Sequence, residues 1–156
     1  MNMLLSLMMV WLIVPATGPL PQQQSPASQT SQANPCASAT TQADLNRCSG
    51  EEFLKADEHL NAMYQNLLRI LQQAVDEAKQ RKDETETKHA EAAIRNLRAA
   101  QNAWNQYRQL HCAAVKDQFE GGTISPLEWA TCMTDTANHR IAELKSGYEI
   151  GDRKLE

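Results

Sequence analysis

The chain has 156 residues, and 15 Lys and Arg stand against 19 Asp and Glu, a formal net charge of −4 at pH 7. A mildly acidic protein of this length supports one domain, disfavours nucleic acid and permits a cationic partner. Its four cysteines, Cys36, Cys48, Cys112 and Cys132, are spaced unlike any paired CxxC zinc pattern.

Residues 3–14 are almost uninterrupted apolar sequence, and Pro15 ends the run. Twelve helical residues rise only about 18 Å, short of the roughly 30 Å hydrocarbon core of a bilayer. The run therefore reads as a secretory leader rather than an anchor, with cleavage expected after Ala16, where Val14 and Ala16 are small residues at −3 and −1. Met1-Asn2 carries no Lys or Arg, and no cysteine follows the run closely enough for a lipid anchor. A periplasmic or secreted protein is expected, and an even cysteine count behind an export signal is read as a disulfide framework.

Residues 17–35 hold no charge and few large apolar side chains; Pro, Gln and Ser dominate. Such a segment cannot bury enough surface to offset its ordering entropy, so it is expected to be a flexible linker. The folded domain is placed at 36–148, with a tail over 149–156.

The pattern after Cys36 is helical. Thr41 with Asp44 resembles a capping box, and Ser49-Gly50 interrupts before a second start signal, Ser49 with Glu52. Phe53, Ala56, Leu60, Met63, Tyr64, Leu67, Leu71, Ala74 and Val75 then recur at three- and four-residue steps, one apolar stripe. The stripe lapses over residues 76–89 and resumes with Ala93, Ile94, Leu97, Ala100, Trp104, Tyr107, Ala114 and Val115. Gly121-Gly122 is expected to stop this second helix. Ser125-Pro126-Leu127-Glu128 reads as cap, first helical residue and capping box for a third. That helix puts Trp129, Met133, Thr136, Ile141 and Leu144 on one face, and Ser146-Gly147 is expected to end it. Nothing reads as a strand, so the fold class is all-α: a long antiparallel hairpin, with a third helix on its cysteine-bearing end.

No Gly or Pro falls between Gly50 and Gly121. A single helix of about 70 residues, roughly 105 Å long, in a dimer is therefore the alternative. The lost periodicity, with Asp83 placed to cap and Glu86 three later, favours a turn near 82–85. Cys112 and Cys132 each lie ten residues from position 122, so a hairpin at Gly121-Gly122 brings them level. Cys48–Cys112 is strained, about 7 Å out of register along the axis. The expected bridges are Cys112–Cys132 and Cys36–Cys48.

These blocks carry a resemblance. Cys36 and Cys48 are followed by Ala56-Asp57, Leu60-Asn61 and Tyr64. Next come Ala100-Gln101, Ala103-Trp104, Tyr107-Arg108 and Cys112, then Gly121-Gly122, Cys132, Thr136, Arg140 and Leu144. Order and spacing resemble the LprI-type lysozyme-inhibitor domain, small secreted all-helical bacterial proteins, over about residues 36–145. The resemblance implies a protein partner, a cationic lysozyme, bound rather than processed. The lipoprotein cysteine of the family's namesake is absent here. Asp57, Asn61, Tyr64, Gln101, Trp104, Tyr107, Arg108 and Arg140 carry the match and read as structural. With a turn near residue 83, Asp57 comes level with Arg108, and Arg140 reaches Trp104's level and is within reach of Asp57. Trp104, Trp129, Tyr64 and Tyr107 fall on the stripes and are expected in the core. Residues 76–89 read as a solvated tip projecting past the third helix. Lys145, Ser146 and Tyr148 are a candidate partner contact, since Ser146-Gly147-Tyr148 is similar to the Ser-Gly…Tyr loop of other periplasmic lysozyme inhibitors, one residue short.

The chain shows no nucleophile elbow, phosphate-binding glycine loop or HExxH, so no enzyme and no cofactor is expected. His59, His89, His111 and His139 do not pair at i, i+4, and His111 is assigned a face of its own, so no metal site is expected. The expected function is a binding protein that blocks a muramidase. The alternative is a periplasmic scaffold or immunity-type module with an envelope or toxin partner.

Overall fold

The structure, a computed structural model, describes residues 35–148; the leader, the expected cleavage site, all of the linker but Pro35, and the tail lie outside the described residues. A 3-10 turn at Pro35–Ser38 precedes three helices: α1 Gln42–Gln80, α2 Glu84–Asp117 and α3 Ser125–Tyr148. Among the described residues there is no strand.

Thr41 starts α1 as expected. Its hydroxyl accepts from the Asp44 backbone N–H at 3.2 Å and donates to the Asp44 carboxylate at 2.6 Å, satisfying one of the orphan donors of a first turn. The interruption expected at Ser49-Gly50 is absent. α1 runs through it for 39 residues, about 58 Å. Ser49 is buried and donates to the Asn46 carbonyl at 3.0 Å. Cys48 is bridged to Cys36 with Cα atoms 5.5 Å apart, so tertiary packing on both sides of Gly50 outweighs its propensity cost of about 1 kcal/mol.

The hairpin turns at Arg81-Lys82-Asp83, at the early edge of the expected 82–85. Asp83 N–H donates to the Ala78 carbonyl and Lys82 N–H to the Lys79 carbonyl, each at 3.0 Å, with Lys82 at φ 57°. This is a Schellman end with lysine where glycine is usual. The Asp83 carboxylate then accepts from the Glu86 N–H at 3.0 Å and starts α2. The continuous 70-residue helix does not form.

α2 ends at Asp117, four residues before the Gly121-Gly122 stop expected for it, in a run of i→i−3 hydrogen-bonded turns, and Gly121 takes φ 80°, the left-handed region that glycine enters freely. The capping assignment for α3 shifts by one. The Ile124 carbonyl accepts the first helical bond, from Glu128 N–H. Ser125 is already helical and turns its hydroxyl to the Lys116 carbonyl at 3.4 Å. The stop expected at Ser146-Gly147 is also passed, since α3 includes both.

α3 packs against both long helices, more extensively against α1, and the Cys112–Cys132 bridge, with Cα atoms 5.6 Å apart, ties it to α2. Both expected pairings are present, and the four cysteines are all bridged. The main core joins Leu60, Met63 and Leu67 of α1, Leu97 of α2, and Ala137, Ile141 and Leu144 of α3. Each buried leucine there contributes roughly 1.5–3 kcal/mol. A satellite cluster of Val75, Ala90 and Ile94 lies toward the turn. α3 has 24 residues against 39 in α1, so the tip of the hairpin is a two-helix structure.

Candidate interaction site

The inward line of α2 is Ala90, Ile94, Leu97, Gln101, Arg108 and Cys112. Its half nearest the disulfide therefore buries polar groups where the apolar pattern placed aromatics. Arg108 is only 7% exposed. Its Nη1 lies 2.8 Å from Asp57 Oδ1 on α1, yet neither Nη1 nor Nε has an aligned hydrogen-bond acceptor. The two belong together as a close charge pair off the ideal hydrogen-bond direction, supported by the Trp104 ring 4.7 Å from the guanidinium. Asn61 Nδ2 donates to the other Asp57 oxygen at 3.2 Å.

Arg140 does not go to Asp57. Its Nε donates to Gln101 Oε1 at 3.1 Å, its Nη1 meets Glu143 at 3.0 Å, and its guanidinium lies 5.9 Å from the Trp104 ring. Gln101, 5% exposed, thus has a cross-helix partner that the sequence reading did not assign. The signal was available: Gln101 lies seven residues before Arg108, two helical turns on the same face. Asp57, Gln101, Trp104, Arg108 and Arg140 form one seam joining the three helices. Tyr64 packs half-buried against the main core, and Trp129 meets Phe53 edge-on with centroids 5.2 Å apart.

Tyr107 is not in the core. It is 56% exposed and lies parallel to His111, with centroids 5.3 Å and planes 9° apart. Arg108, one residue on, takes the inward position, and a step of 100° turns Tyr107 outward. The Tyr107–His111 stack lines a groove of about 590 Å³ between α2 and α3, beside the Cys112–Cys132 bridge. Trp104 and Val115 complete the α2 wall; α3 contributes Glu128, Asp135, Thr136, His139 and Glu143. His111 and His139 therefore face one groove, although the sequence reading kept them apart. Among the described residues no three His, Cys, Asp or Glu side chains converge as metal ligands.

A second cleft, of about 570 Å³, lies at the hairpin tip, where Ile70, Leu71, Ala74 and Ala93 are left beside Tyr148 by the end of α3. Tyr148 is half-buried against the main core, and Ser146 donates to the Glu143 carbonyl at 3.2 Å. The trio Lys145, Ser146 and Tyr148 thus stands on the last turns of a helix, not on a loop. Among the described residues no helix is long and apolar enough to cross a membrane.

A family profile described as "Lysozyme inhibitor LprI" matches residues 33–144. An uncharacterised protein of Rhizobium meliloti (strain 1021) is 29% identical over 128 residues, covering 82% of this chain and 88% of that one. No solved structure matches.

Proposed function

The chain belongs to the lysozyme inhibitor LprI family, and from that membership we propose that it is an exported binding protein that occludes a muramidase. The observation that carries this is the extent of the family match, residues 33–144, which takes in both disulfides, the polar seam and nearly all of α3. The apolar run at residues 3–14 and the paired cysteines support export to an oxidising compartment, with cleavage after Ala16. The acidic balance supports steering toward a cationic partner. Inhibition on this reading is steric and electrostatic; the protein performs no covalent chemistry and needs no cofactor.

The test is clearing of a cell-wall suspension by a c-type lysozyme, with and without the purified oxidised protein. Inhibition that saturates near equimolar protein is expected. Unchanged clearing at a tenfold excess would defeat the proposal for that class of muramidase and leave the scaffold or immunity-type function.

A further inference from the structure

We propose that the groove between α2 and α3 is the face that engages the partner, and that it receives an arginine or lysine side chain from a basic protein. This rests on the protein-partner reading above and adds the surface and its chemistry. Four observations meet in the groove. The Tyr107–His111 stack is displayed to solvent, with Tyr107 more than half exposed. An exposed aromatic face attracts a cation through its quadrupole. On the facing wall, Glu128 and Asp135 have no ion-pair partner among the described residues, whereas Glu143 is already matched to Arg140. Glu143 is thus the counter-charge of Arg140, which Gln101 further positions, and the Glu128 and Asp135 carboxylates remain uncompensated among the described residues. The space, about 590 Å³, takes one long side chain with its flanking backbone. The Cys112–Cys132 bridge joins the two walls, so little ordering is left for the moment of binding.

Two measurements on the oxidised protein test this. In the first, acetyl-Gly-Arg-Gly-amide is titrated into isotopically labelled protein and followed by amide NMR. Saturable shifts are expected at the Trp104 indole and at Tyr107, His111, Asp135 and His139, and not with the uncharged citrulline analogue. No saturable shift, or shifts spread equally over carboxylates elsewhere such as Glu58 and Glu84, would overturn the proposal. In the second, binding of a c-type lysozyme is compared for Tyr107→Ala, for Glu128→Gln with Asp135→Asn, and for a charge-matched control on α1, Glu52→Gln with Glu58→Gln. Each groove variant should weaken binding roughly tenfold, the carboxylate pair mainly through a slower on-rate, while the control stays within about twofold. Equal binding by all variants would overturn the groove assignment. If the wild-type protein does not bind that lysozyme, the muramidase reading fails for it, and the peptide titration still decides the groove.

Discussion

Removing the Asp57 carboxylate isolates a buried cation, and the structure sets the size of the effect. Arg108 is 7% exposed and its Nη1 has Asp57 at 2.8 Å as its charge partner. Breaking a buried pair from one side costs about 3–5 kcal/mol, chiefly from the charge left uncompensated. The Asp57 side chain is 30% exposed, so water reaches the vacated position and the lower end applies, about 3 kcal/mol for Asp57→Ala. In a domain of this size that lowers Tm by roughly 10 °C. Arg108→Met fills much of the same volume without the charge, so adding it to Asp57→Ala should recover most of the loss. The assay is urea unfolding of the oxidised protein by circular dichroism, for wild type, both single variants and the double. A coupling energy of about 2 kcal/mol is expected. A loss under about 0.5 kcal/mol for Asp57→Ala, or additive effects in the double variant, would refute the pairing as a determinant of stability.

Cys112→Ser with Cys132→Ser removes a bridge between residues 20 apart in sequence; the chain-entropy model assigns it about 3 kcal/mol, read from guanidinium unfolding midpoints. Gly50→Ala should stabilise by up to about 1 kcal/mol, because a Cβ there meets nothing within 4 Å in the interior of α1. Gly121→Ala, although equally uncrowded, should destabilise by about 1 kcal/mol because its φ is +80°; thermal melts of the two should shift in opposite directions. Lys82→Gly relieves a lysine at φ 57° and should raise Tm by a few degrees, through a gain of about 1 kcal/mol or less. A fall in Tm for Lys82→Gly would show that the side chain, not the backbone, matters at the turn.

Local chemistry was legible without the tertiary structure. Thr41 and Asp83 were placed as caps because a side-chain oxygen three residues ahead of an N–H is a purely local relation. The Cys112–Cys132 pairing follows from helical rise, since the two are equidistant from the glycine pair that turns the chain. Failures came where a local signal met a nonlocal gain. Gly50 and the Ser146-Gly147 pair read as stops, yet Cys48 and Ser49 on one side and Tyr148 on the other are held by packing, and the helices continue.

The candidate groove was less visible, because an apolar stripe fixes a helix's inward face only to about one residue, or 100°. On α2 that uncertainty decided everything: with Arg108 inward, Tyr107 turns out to solvent and pairs with His111. What selected Arg108 was a partner on another helix, the Asp57 carboxylate, together with the Trp104 ring beside it. From sequence alone, then, come the three helices, the Thr41 and Asp83 caps, the hairpin and the covalent staples, all set by spacing along one chain. Tertiary structure decided which polar residues are buried, that His111 and His139 share a groove, and which aromatic is displayed. A buried charge is tolerated only where another element supplies its counter-charge, and that supply exists only after the helices have met.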